Sequence, residues 1–233
     1  MIVKSLQLLV FLLLIGAGGA DAAVQGAAPQ NGAINKAINA TTAEQAVDLA
    51  TQEILRLIES GKEYAHDDPE RFFTEVEAML RPLIDFPRFA RNVMGAYYRK
   101  ADDAQRERFA ESFKWSLVRT YALALTEFGG GEIEVLEPRR PPRDPNKVGV
   151  TMEIQQNGNV YVVVYQMQRD ASEAWRLRNL VIEGVNIGLN YKSQFAAAMK
   201  DPANGRDLDA VIDAWTKVIE AGEKPGADGP GDA

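Results

Sequence analysis

Between residues 42 and 128 apolar side chains recur every three to four positions, and between 132 and 182 they alternate with polar ones. The first period belongs to helices with one buried face, the second to half-buried strands. Thr42-Ala43-Glu44-Gln45 has the form of a capping box, so a helix begins there, carries Val47, Ile54, Leu55 and Ile58 on one face and stops at Gly61. Asp68-Pro69 caps a second helix bearing Phe72, Phe73, Val76, Met79 and Leu80. Asp85 caps a short third one with Phe89, Val93 and Met94, ended by Gly95. The longest helix is predicted over 102–128, with Phe109, Phe113, Leu117, Tyr121, Ala124 and Phe128 on one face, and Gly129-Gly130-Gly131 ends it.

Alternation then predicts four strands. Ile133 and Val135 belong to the first; Val148, Val150, Met152 and Ile154 face inward in the second, and Tyr161, Val163, Tyr165 and Met167 in the third. Asn157-Gly158 between the last two is a hairpin turn signal. Counting by twos from Trp175 places Leu177, Asn179 and Val181 inward in the fourth, opposite Arg176 and Arg178. The stretch VIEGVNIGLNYKSQF, 181–195, then turns from strand to helix, a junction assigned to Gly184 and Gly188. The fold class that follows is α+β, with helices packed on one face of a curved, mainly antiparallel sheet of about four strands. No proline- or glycine-rich linker divides 41–221, which reads as a single domain.

The two ends read differently. Lys4, an apolar run over 6–15 and Ala20-Asp21-Ala22 match a secretory signal peptide, 1–22, removed near Ala23. The run is well short of the ~20 residues that span a bilayer. Residues 23–40 are small and polar without a sustained period, a flexible N-terminal segment, and 222–233 form a disordered tail of glycine, proline and acid. The product is expected to be exported and held together by its core. The formal net charge of −7 argues against nucleic acid, whose phosphates need Lys and Arg, and leaves only transient contact with an anionic membrane. The chain has no cysteine, so disulfides and a lipid anchor through an N-terminal cysteine are excluded.

Catalytic chemistry finds little support. The one histidine, His66, lies in a loop, too few for a histidine zinc site and poorly housed for a nucleophile pair. Asp85 is better explained as a helix cap, and Asn179 as a hydrogen-bonded core amide or a ligand contact. EPRRPPRDPNK, 137–147, concentrates Arg139, Arg140, Arg143 and Lys147 in a proline-stiffened loop that could meet an anionic headgroup or an acidic partner, or stay solvated. No glycine-rich phosphate loop of the nucleotide-binding type follows a strand. Core filling is the simpler reading for any one of the inward aromatic and apolar residues, and their pattern alone does not separate a filled core from a hollow one.

Three strings add to this reading: FPRFARNVMGAYYRKADDAQRERFAESFKWSLVRTYALAL, WRLRNLVIEGVNIGLNYKSQF and NGRDLDAVIDAW. Their content and order resemble the MlaC family, also called the toluene-tolerance auxiliary family, of periplasmic phospholipid-binding proteins. The resemblance spans about 42–219. Trp175, Glu183, Gly184, Asn190, Tyr191, Ser193, Gln194 and Phe195 match the family's last block. Arg178-Asn179 replaces a tyrosine-aspartate pair, Asn186 a serine and Lys192 an arginine.

The resemblance implies a deep apolar pocket that holds acyl chains of a phospholipid cargo, with no catalysis and no cofactor. From the helices it would be lined by Phe86, Phe89, Met94, Phe113, Leu117 and Tyr121. From the sheet it would be lined by Val150, Met152, Tyr161, Val163, Tyr165, Met167 and Val181, and beyond it by Val185 and Ile187. The implied partners are an inner-membrane ABC transporter with lipid-handling domains and an outer-membrane lipoprotein-porin complex, visited by a monomer. A carrier of hopanoid or another polycyclic lipid is the neighbouring alternative. A small α+β hydrolase or isomerase with Asn179 at its pocket floor is the more distant one, and a chaperone-like protein with a solid core the third.

Overall fold

The computed structural model describes residues 31–126 and 131–220; the expected leader 1–22, Phe128, Gly129-Gly130 and the tail 222–233 lie outside them. The α-helices among the described residues are α1 (Asn31–Ile38), α2 (Ala43–Gly61), α3 (Pro69–Leu80), α4 (Phe86–Met94), α5 (Asp103–Thr126), α6 (Ile187–Ala198) and α7 (Leu208–Glu220). The strands are β1 (Glu132–Val135), β2 (Lys147–Gln156), β3 (Asn159–Arg169), β4 (Trp175–Ile182) and the two-residue β5 (Val185–Asn186). They form one open antiparallel sheet in the order β1-β2-β3-β4-β5, and the class is α+β as expected. The chain condenses into two compact units, 31–84 with 121–184 and 85–120 with 185–220, counting described residues. Each unit is assembled from two separated segments, so no linker marks their boundary in the sequence.

Local chemistry sets the helix starts. Thr42 accepts from the Gln45 N–H at 3.2 Å, Asp68 from Arg71 at 3.2 Å and Asp85 from Arg88 at 3.0 Å. Asp102 and Gln105 cap each other, the Asp102 carboxylate accepting from the Gln105 N–H at 2.8 Å and the Gln105 side-chain oxygen from the Asp102 N–H at 3.1 Å. Part of the segment read as irregular is helical: α1 buries Ile34, Ala37 and Ile38 beside α2. Three apolar residues at positions i, i+3 and i+4 suffice there because tertiary packing, not intrinsic propensity, holds a short helix.

The hairpin turn between β2 and β3 forms as predicted, with Asn157 at φ 51° and Gly158 at φ 78°. β4 departs from the simple count. Met167 pairs with Leu177, but Gln166 pairs with Asn179, so Arg178 is an extra residue opposite a continuous β3. This bulge reverses the alternation halfway along the strand. Trp175 and Leu177 share a face with Met167; beyond the bulge Leu180 and Ile182 take that face, opposite Tyr165 and Val163. Asn179 and Val181, expected inward, lie on the outer face with Gln166 and Val164.

The junction after β4 is likewise rearranged. Glu183 (φ 48°) and Gly184 (φ 77°) make a two-residue turn into β5, and α6 starts at Ile187. Gly188 is the second residue of that helix and not part of the turn. The cap is Asn186, whose side chain accepts from the Leu189 N–H at 2.9 Å. Serine and asparagine are both good N-caps, which explains an asparagine where the resembling family carries serine.

Candidate functional site

The inner face of the sheet in the first unit is covered unevenly. Toward one end Val148, Val150, Met167, Trp175 and Leu177 are buried together with Ala43, Ala46 and Val47 of α2. Trp175 donates its ring N–H to the Ala40 carbonyl at 3.1 Å, and the Arg169 guanidinium stacks 4.5 Å above its ring. Toward the other end Met152, Ile154, Tyr161 and Val163 form a second buried group. Around it Ile133, Val135, Tyr165, Leu180 and Ile182 are only half-buried. A patch of large apolar side chains that water can still reach is the feature of this face that a filled core lacks.

Polar groups hold the edges of this face. Asp170 accepts from the Ser172 hydroxyl at 2.6 Å, the Ser172 N–H at 2.8 Å and the Arg176 Nε at 2.8 Å. The Ser172 hydroxyl and then Arg176 keep this carboxyl far below the usual carboxylate range against the opposing cost of its desolvation. Arg176 also donates to the Pro82 carbonyl, and the Leu177 N–H to the Leu83 carbonyl at 2.8 Å, which ties the stretch after α3 to β4. At the far end Glu183 accepts from the Val162 N–H through its carboxylate and donates its own N–H to the Val162 carbonyl at 3.0 Å. The matched pair Glu183-Gly184 thus closes the ladder between β3 and β4.

A groove of about 900 Å³ lies beside the start of α2 and the loop of 136–146. Glu44, Asp48, Glu137 and Glu173 line it, while its one cation, Arg169, is engaged with the Glu173 and Thr41 carbonyls. Four carboxylates disfavour an anionic headgroup there. The loop's own cations, Arg139, Arg140 and Arg143, are exposed and carry no ion pair among the described residues.

The second unit is built around rings. Phe109 meets Phe195 at 4.8 Å and Trp215 at 5.4 Å between centroids; Phe113 meets Phe89 at 5.2 Å and Tyr191 at 5.3 Å, each edge to face. Phe109, Phe113 and Phe195 have no exposed surface. Gly95 ends α4 at φ 57°, ψ −121°, a conformation that favours glycine, and the Lys192 side chain lies across it. A recess of about 500 Å³ in this unit is lined by Tyr97, Gln105 and Met199 together with Lys100, Lys200 and Arg206. These three cations are exposed and unpaired among the described residues.

The expected lining residues therefore fall in different surroundings. Phe86, Phe89, Met94 and Phe113 are buried in the second unit, whereas Leu117, Val185 and Ile187 there remain half-buried. Val150 and Met167 are buried in the group that includes α2; Met152, Tyr161 and Val163 are buried in the second group; Tyr121 and Tyr165 are half-buried. Val181 stands on the outer face. Asn179, on that same face, donates to the Gln166 side chain at 3.3 Å, so it is no polar floor for a pocket. Asp85 is the cap of α4. Ile133, Val135, Leu180 and Ile182 complete the half-open patch. Ile182 and Leu180 are found by counting back from the Glu183-Gly184 turn, and this count clashes with the one from Trp175, which locates the bulge at the adjacent polar pair Arg178-Asn179.

Comparison with known proteins gives consistent matches. Residues 48–217 match the family model described as MlaC protein. The toluene tolerance protein Ttg2D of Pseudomonas putida is 33% identical over 195 residues, 83% of this chain and 88% of that protein. The intermembrane phospholipid transport system binding protein MlaC of Haemophilus influenzae is 25% identical over 179 residues, 76% of this chain and 80% of that protein. A solved phospholipid-binding protein from Ralstonia solanacearum, in complex with a phospholipid, shares the fold at TM-score 0.69. It is 21% identical, with 78% of this chain and 99% of that one covered.

Proposed function

The chain belongs to the MlaC family, and on that premise we propose that it is a periplasmic phospholipid carrier whose cargo lays its acyl chains against the half-open inner face of the sheet. The observation that carries this reading is the set Ile133, Val135, Tyr165, Leu180 and Ile182, apolar and half-buried around a buried apolar group. Burying a methylene is worth ~0.8 kcal/mol, so acyl chains seated on such a face recover much of what they lose on leaving a bilayer. The gain is the same in kind on both sides of the exchange, so cargo can pass in either direction without a chemical step.

Transfer through water would be slow, and the carrier therefore works by docking. We place the donor and acceptor in an inner-membrane ABC transporter with lipid-handling domains and an outer-membrane lipoprotein-porin complex. Two groups of exposed cations on a chain of net charge −7 support docking to acidic surfaces: Arg139, Arg140 and Arg143 in the first unit, and Lys100, Lys200 and Arg206 in the second. The test is lipid extraction and mass spectrometry of the protein purified from its native cells, followed by uptake from labelled phospholipid vesicles. Phospholipid in the extract and uptake on incubation are expected. A polycyclic lipid in the extract would replace the cargo, and empty protein that takes up nothing would overturn the carrier.

A further inference from the structure

Two hydroxyls on the apolar side of the first unit share one poor acceptor. The Thr51 Oγ1 on α2 lies 3.8 Å from the Met152 Sδ, and the Tyr165 hydroxyl on β3 lies 3.8 Å from the same sulfur. A thioether is a weak acceptor, and here it faces two O–H donors. Tyr165 packs against the buried apolar group of Met152, Ile154, Tyr161 and Val163. Desolvation drives its phenol well above the ordinary value. Phenylalanine at position 165 would fill the same space without the cost of desolvating a phenol hydroxyl.

A better acceptor than sulfur would satisfy both donors. A phosphate would bring a charge against the apolar group of Met152, Ile154, Tyr161 and Val163, a large cost. A neutral carbonyl oxygen brings none. We propose that Thr51 and Tyr165 donate hydrogen bonds to an ester carbonyl of the bound lipid, which makes this carrier selective for acyl esters over ether-linked lipids of the same shape. This rests on the phospholipid-carrier reading and adds to it the chemical class of the cargo's linkage.

The experiment compares two vesicle lipids, a diester phosphatidylglycerol and its diether analogue with equal chain length, in competitive loading of the delipidated full-length mature protein. Each hydrogen bond to a neutral acceptor corresponds to roughly a three- to ten-fold preference. The wild type should therefore favour the ester about ten-fold or more. Tyr165→Phe should shrink that ratio several-fold, and Thr51→Val with Tyr165→Phe should bring it to unity while total lipid uptake persists. Loss of hydroxyls alone preserves shape, and thermal melts confirm folding. Equal loading of both lipids by the wild type overturns the proposal even if no variant folds, as does a preference retained in the folded double variant. Failure of the wild type to load either lipid sinks the carrier reading instead, so the two failures are distinct.

Discussion

The two units solve the same problem, how to bury apolar surface, in opposite ways. In the second, Phe89, Phe109, Phe113, Tyr191, Phe195 and Trp215 close on one another edge to face, with three of the rings fully buried. In the first, Ile133, Val135, Tyr165, Leu180 and Ile182 stay half-open beside a core that is otherwise covered by α2. Rings that satisfy each other leave nothing for a ligand, whereas an aliphatic face that is partly wet gains from one. On the carrier reading proposed above, aromatic content alone does not mark the seat of the cargo.

Truncation should show the contrast most strongly. Phe109→Ala should cost about 3–5 kcal/mol, the range for deleting a fully buried ring. Ile182→Ala should cost about 1 kcal/mol, because a half-open side chain has less burial to lose. Chemical denaturation of both variants measures the difference, and equal losses would erase it.

The polar clasp of the first unit comes next. Asp170→Ala should cost about 2 kcal/mol through its charge-assisted hydrogen bonds. The folded-state carboxyl titrates below its unfolded value, so its contribution is complete above about pH 4 and fades as pH falls further. Acid titration of wild type against the variant should show the two curves converging only below that pH.

Overpacking sharpens the comparison within the first unit. Met167→Trp, in the buried group with α2, should lose about 1–3 kcal/mol. Leu180→Trp, in the half-open patch, should fold with a smaller loss and carry less phospholipid per protein. Thermal melts with lipid quantification decide this; Leu180→Trp proving as damaging as Met167→Trp would mean the patch is not available space. The smallest effect belongs to the cap of α6: Asn186→Ala should cost about 1 kcal/mol and Asn186→Ser only a few tenths.

Much of this architecture is legible in the sequence because it is written in local chemistry. The caps at Thr42, Asp68 and Asp85, the turn at Asn157-Gly158 and the change from a helical to an alternating period all act within a few residues. What is lost is whatever depends on partners far away. The bulge at Arg178 comes from pairing with β3, and it moves Asn179 and Val181 to the opposite face from the one that counting gives. Burial depth is of the same kind. Periodicity puts Phe113 and Tyr165 on inner faces, and only tertiary contacts make the first a ring in a closed cluster and the second a half-buried residue whose hydroxyl is desolvated beside Met152. Thr51 illustrates the limit, since nothing near it in the chain marks it as the neighbour of Met152.

The interleaving of the two units has a consequence for the order in which the chain can fold as it is made. Arg176 clasps the Pro82 carbonyl across 94 residues, and Arg108 pairs with Asp213 across 105 at 2.5 Å. The first unit thus waits for β4, and the second for α7, near the end of the chain. Contacts so distant in sequence form slowly compared with local ones. A nascent chain that stops before Trp175 holds helices and three strands with no means of finishing either unit. For a protein exported as proposed above, that delay is useful: a chain that cannot complete its fold until its last segments emerge stays threadable while it crosses the membrane.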